Sequence, residues 1–172
     1  VAFSGQYAYV ADYDAGLTVV DVSDPSNPCV VGSTTDWSNP GARGVAVAGS
    51  YAYVAAYSAG LAIVDIENPA NPCTITTAAT NGNALDVEVA GPYAFVADES
   101  AGLTVVNVAD PYNPDVLTPV AVSSHAHGIA LQHSYAYVAD STGVTVVDVA
   151  DPNDPRVRGS ASTPGIAYDV DI

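Results

Sequence analysis

Apolar positions in this chain alternate bulky with small. In "SYAYVAA" at 50–56, an extended strand puts Tyr51, Tyr53 and Ala55 on one side and Ala52 and Val54 on the other. Both faces are apolar, one bulky and one lean, so the sheet expects protein on each side; a half-solvated sheet would alternate apolar with polar. The same word returns as "QYAYVAD" at 6–12, "PYAFVAD" at 92–98 and "SYAYVAD" at 134–140. Its first tyrosines, Tyr7, Tyr51, Tyr93 and Tyr135, are separated by 44, 42 and 42 residues, which is an internal repeat.

Each unit reads as a short strand ("GVAVAG", "DVEVAG" or "GIALQH"), the "YAYVA" word, a Gly turn into a run such as "GLTVVDV", and a Pro turn. The Pro turns are "DPSNP" at 24–28, "NPANP" at 68–72, "DPYNP" at 110–114 and "DPNDP" at 151–155, and a looser strand such as "CVVGSTT" follows. Strand formers punctuated by Gly and Pro, with four strands per roughly 42 residues, are the signature of a propeller blade. The expected fold is all-β: one β-propeller domain over residues 1–172, built of four four-stranded blades, as a ring or as part of a larger ring or assembly. Repetition has a physical cause here, because each blade must fit a nearly identical neighbour. The Asp residues of "VVD" and "DP" are expected to cap these turns by accepting backbone N–H bonds.

With these words in place, "GLTVVDVSDPSNP", "GLAIVDIENPANP", "GLTVVNVADPYNP" and "GVTVVDVADPNDP" resemble the LVIVD repeat family of β-propellers over essentially the whole chain. The resemblance implies secreted or cell-surface propellers of bacteria and archaea, usually in larger chains and mostly without an established activity. It supplies a fold and no substrate.

The ends repeat one another. "VAFSGQY" at 1–7 aligns with "VEVAGPY" at 87–93, and "YDVDI" at 168–172 aligns with "LDVEV" at 85–89, so Val170 repeats Val1 and Ile172 repeats Phe3. One innermost strand is therefore written at both ends. The expectation is a slice of a longer array, or assembly through Val1, Phe3, Val170 and Ile172 into a dimeric eight-bladed ring or a head-to-tail fibre, because only closure removes exposed sheet edges. A self-contained four-bladed ring is the contrary case. Starting at Val1 with no methionine, the chain reads as a processed product or fragment without a signal peptide. Cys29 and Cys73 occupy equivalent places on adjacent blades, farther apart than the roughly 7 Å Cα spacing of a disulfide. They are candidates for an intermolecular bridge, or else half-buried thiols.

Charge narrows the partners. Nineteen carboxylates face three cations, Arg43, Arg156 and Arg158, for a net charge of −16. Phosphate binding needs clustered Lys or Arg, so nucleic acid is excluded as a partner. The carboxylates are scattered through turns, as on a solvated surface suited to an extracellular setting. Apolar runs break within about ten residues, short of the roughly 20 that span a bilayer.

Candidate chemistry is sparse. On a straight strand His125 and His127 share a face and present two ligands to one metal ion, while His133 lies on the order of 26 Å from His125. By the repeat, His127 corresponds to Arg43, Leu85 and Tyr168, at one mouth of the central channel, and these vary while the neighbouring Ala42, Ala84, Ala126 and Ala167 do not. Variation on a repeated scaffold marks Arg43, His127 and Tyr168 as a candidate surface for a metal, glycan or peptide. "DYDAG" at 12–16 resembles the start of a calcium loop through Asp12 and Asp14, although a hairpin turn explains it at lower cost and no bidentate Glu follows. There is no lysine, G-x-S-x-G elbow or Walker loop. The reading is a non-enzymatic, extracellular structural or self-associating module without a cofactor, with ligand binding at the channel mouth as the alternative.

Overall fold

Alternating Val, Ile, Tyr and Ala produce strands wherever the Gly and Pro turns allow a reversal. In the computed structural model, which describes residues 1–37 and 41–172, every regular element is a strand. Blade 1 comprises β1 (Ala2–Ser4), β2 (Tyr7–Ala11), β3 (Leu17–Asp21) and β4 (Cys29–Thr34). Blade 2 comprises β5 (Gly44–Ala48), β6 (Tyr51–Ala55), β7 (Leu61–Asp65) and β8 (Cys73–Ala78). Blade 3 comprises β9 (Asp86–Ala90), β10 (Tyr93–Ala97), β11 (Leu103–Asn107) and β12 (Asp115–Val116). Blade 4 comprises β13 (Ala126–Gln132), β14 (Tyr135–Asp140), β15 (Gly143–Asp148) and β16 (Arg156–Ser162). Each blade is an antiparallel sheet with its strands in chain order.

The repeat in sequence is a repeat in register. Tyr7 pairs with Asp21, Tyr51 with Asp65, Tyr93 with Asn107 and Tyr135 with Asp148. The Asp and Asn ending these third strands cap the next turn as expected: the N–H groups of Ser23, Glu67, Ala109 and Ala150 donate to Asp21, Asp65, Asn107 and Asp148 at 2.8–3.0 Å. Blade 3 departs at its outer strand, which stops at Val116 and resumes only as a bridge from Leu103 to Val120. Pro119 falls opposite Thr104, beside the Leu103–Val120 pair that exchanges both backbone bonds, where the ladder asks for no N–H and an edge strand tolerates proline.

Cores lie between blades. One cluster joins Tyr9, Leu17 and Val19 of blade 1 to Ala52, Val54 and Val64 of blade 2. A second joins Tyr53, Leu61 and Ile63 to Ala94, Val96 and Val106, and a third joins Phe95, Leu103 and Val105 to Ala136, Val138 and Val147. Bulky residues of one blade thus settle on the lean face of the next. Short bridges stitch the blades together, Tyr13 to Ala42, Tyr57 to Ala84 and Glu99 to Ala126. This accounts for three of the constant alanines: Ala42 and Ala84 are buried and exchange both backbone bonds with Tyr13 and Tyr57, and buried Ala126 donates its N–H to Glu99.

Candidate assembly faces and channel mouth

The three clusters leave two faces without a partner: among the described residues, no core cluster joins blade 4 to blade 1. The consequence is visible position by position. Tyr9, Tyr53 and Phe95 are 2%, 4% and 3% exposed, yet the equivalent Tyr137 is only half-buried. Leu17, Leu61 and Leu103 are fully buried, whereas Val144 in their place is half-buried. Across the gap, Val10 and Val20 of blade 1 are also half-buried, where Val54 and Val64 are completely covered.

The assembly residues expected from sequence are exposed, Val1, Phe3 and Ile172 strongly and Val170 partly. Tyr168 and Asp169 lie against β13, so close that a Cβ on Gly128 would be 2.8 Å from the Asp169 Cα. They form no ladder, and the N–H groups of Val170 and Ile172 turn to the carboxylates of Asp169 and Asp171. The tail occupies the innermost-strand place without the pairing that defines a strand.

At the channel mouth a cavity of about 350 Å³ is lined by Arg43, Asp86, Glu88, His127, Tyr168 and Asp169, among others. All three residues nominated from sequence reach it. The Arg43 guanidinium lies 4.6 Å from the Tyr13 ring and 5.1 Å from the Tyr57 ring, a cation held between two aromatic faces. The His127 ring stands 5.2 Å from that of Tyr168, and its Nε2 shares a 3.0 Å hydrogen bond with the Ser141 hydroxyl. Asp86 accepts the Ile129 N–H at 3.0 Å. Burial raises the Asp86 carboxyl above the usual range, against that bond and one from Val87, with Asp169 adding repulsion; burial and Asp86 likewise raise Glu88.

A raised folded-state value means that ionised Asp86 costs stability at neutral pH, a cost removed as pH falls through that value. Asp86→Asn keeps an acceptor for Ile129 and removes the charge. It should melt at a higher temperature than the parent at pH 7, with the gap closing as acid protonates the parent carboxyl. Equal melting at pH 7 would overturn this account.

One expectation changes in the structure. His127 is the extra residue of a bulge, since Ala126 pairs with Asp140 and Gly128 with Ala139. The two-residue alternation that put His125 and His127 on one face therefore does not carry across it. Among the described residues no group of three or more His, Cys, Asp or Glu gathers as metal ligands. In "DYDAG" Asp12 opens a hairpin turn, its N–H donating to the Gly16 carbonyl at 2.8 Å and its carboxylate accepting the Thr18 hydroxyl at 3.4 Å. Cys29 and Cys73 are both free and exposed. No helix among the described residues is long and apolar enough to cross a membrane.

The LVIVD repeat model matches residues 1–36, 41–80, 81–120 and 123–163. The chain belongs to the LVIVD repeat family. Curated proteins contain no match to it. Among solved structures, this LVIVD repeat protein is similar to the computationally designed Ika8 protein (TM-score 0.76, 8% identity, 99% of this chain and 51% of that one). It is also similar to the designed Ika4 protein (0.63, 8%, 81% and 84%) and to the β-propeller domain of Myceliophteria thermophila Cps50 (Swd1) (0.69, 11%, 96% and 59%). The chain spans about half the length of Ika8. At these identities the likeness establishes the propeller fold.

One functional group of the LVIVD repeat protein escaped the sequence reading. Buried Asp98 accepts hydrogen bonds from the Thr80 hydroxyl (2.7 Å), the Gly82 N–H (3.1 Å) and the Thr104 hydroxyl (2.8 Å). Asp140 does the same with Thr142, Gly143 and Thr145. The signal was present: Asp12 goes with Thr18, Asp98 with Thr104 and Asp140 with Thr145, while blade 2 has Ala56 with Ala62. Where the carboxylate is missing, so is the hydroxyl it would bind.

Proposed function

We propose that this protein is a non-enzymatic, self-associating propeller module, working outside the cell, in which the outer face of blade 4 of one copy packs on the open face of blade 1 of another. The observation that carries the reading is the half-buried state of Tyr137 and Val144 where their equivalents in three blades are buried. Exposed apolar sheet faces and edges are a template for more protein of the same pattern. The superposition supports it too, since nearly all of this chain follows half of the longer Ika8 and less of it follows Ika4. The extracellular setting rests on the acidic surface and the family resemblance.

Light scattering coupled to size exclusion tests the proposal. The parent should run at twice 17.4 kDa or a larger multiple. Tyr137→Asp, on an open face, should run at 17.4 kDa with its circular dichroism unchanged. A monomeric parent, or a variant that assembles as the parent does, would sink the reading.

A further inference from the structure

We infer that the junction between copies reproduces the blade 1 to blade 2 interface, with the turn 24–28 of a second copy seated against Gly159 of β16 and its β1 displacing residues 170–172 from the innermost-strand place, and that two such junctions close one ring. The inference rests on the self-association reading and names its contact surface.

Outer strands carry an equivalent residue at Gly32, Thr76, Thr118 and Gly159. Gly32 pairs with Val19 and Gly159 with Val146, each at the bulge that shifts the register in its outer strand. Neither glycine has a positive φ, so neither is required by its backbone conformation. At Gly32 the reason is close approach: a Cβ there would lie 2.4 Å from the Pro69 carbonyl oxygen and 2.9 Å from the Pro72 ring, both in the turn of blade 2. At Gly159 nothing lies within 4 Å. Glycine therefore occurs where a neighbour's proline turn presses in, and again in the blade whose neighbour is missing.

The turn that would fill the seat has the matching shape. Pro25, Ser26 and Pro28 of "DPSNP" stand where Pro69, Ala70 and Pro72 stand in "NPANP". Blades 3 and 4 have the bulkier Tyr112 and Asn153 in place of Ala70. Charge matches as well. Arg156 and Arg158 are two of only three cations in the chain, and both lie on β16. Arg158 stands where Val31, Ile75 and Leu117 pack toward the following blade. Within one chain it pairs with Asp148 at 2.6 Å. In the junction it lies beside a turn bearing Asp24, whose carboxyl the Ser26 hydroxyl and N–H hold below the usual range and so ionised. A head-to-tail contact of this kind gives a closed ring or an open filament according to its rotation. Four blades that follow 51% of Ika8 carry the curvature for closure by two copies.

Gly159→Thr tests the seat, because Thr is what blades 2 and 3 carry there and no atom of the same chain lies within 4 Å. Expected is a dissociation constant raised about tenfold or more, from overpacking at the seat, with thermal melting of the single chain unchanged. Gly32→Thr, the control within the chain, should lower that melting temperature. Arg158→Glu should weaken association and flatten its salt dependence. Microscopy of the parent should find two-copy rings. If the parent assembles and Gly159→Thr assembles equally well, the seat is wrong while self-association stands; open filaments would overturn closure by two copies; a parent that never associates would remove both readings.

Discussion

Replacing Asp98 by alanine is expected to destabilise the fold by about 3 kcal/mol, because a buried acceptor that satisfies three donors is removed at once. The carboxylate ties Thr104 in its own blade to Thr80 and Gly82 in the segment arriving from blade 2, so its loss loosens both the hairpin and the connection between blades. Blade 2 indicates the remedy. There Ala56 and Ala62 fill the same two positions and are fully buried, so an apolar pair packs in this geometry. Asp98→Ala with Thr104→Ala should recover part of the loss, since removing both partners avoids leaving the Thr104 hydroxyl unpaired. Urea titration of parent, single and double variants measures this, and a single variant as stable as the parent would refute it.

Asp140 shows the electrostatic side of the same device. Burial pushes its carboxyl up, but bonds from Thr142, Thr145 and Gly143 outweigh burial and hold it below its ordinary value of 3.8. The sign follows from linkage: this support is complete above the unfolded value and disappears only as pH falls through the lower folded one.

The second large effect separates covered from uncovered positions. Leu103→Ala deletes a side chain that is fully buried between blades 3 and 4 and should cost about 2–5 kcal/mol. Val144→Ala, at the equivalent position of blade 4, should cost about 1 kcal/mol or less in the single chain, because water already reaches a half-buried valine and a smaller side chain leaves little cavity. Raising the protein concentration into the range of assembly should enlarge the second cost and leave the first nearly unchanged. Denaturant unfolding at low and high concentration gives both numbers. A Val144→Ala cost equal to that of Leu103→Ala in the single chain would mean that blade 4 is covered from within.

The repeat, the strand order, the bulky and lean faces and the Asp caps were all legible in the sequence, because each depends on neighbours a few residues apart. Side chains alternate along a strand with period two, and an Asp beside a turn bonds an N–H two residues on, whatever the rest of the chain does. Arg43, His127 and Tyr168 were found by a different route, as variable positions on a constant frame. Their meeting at the mouth follows from the repeat, but the pair of rings holding Arg43 joins Tyr13 to Tyr57 across two blades. Nothing local to either tyrosine encodes that. The bulge at His127 was likewise invisible, because one residue inserted against β14 is decided by how the segment after Glu99 bridges to Ala126.

The sequence by itself thus determined what each blade is and which side of it faces the next, since four near-copies of one pattern must build four near-copies of one interface. Only the tertiary structure decided that, among the described residues, core clusters join blades 1 to 2, 2 to 3 and 3 to 4 and none joins blade 4 to blade 1. Closure depends on the small rotation from each blade to the next, summed around the ring. That rotation is set by packing between blades, such as the turn of blade 2 against Gly32, and no single repeat contains it.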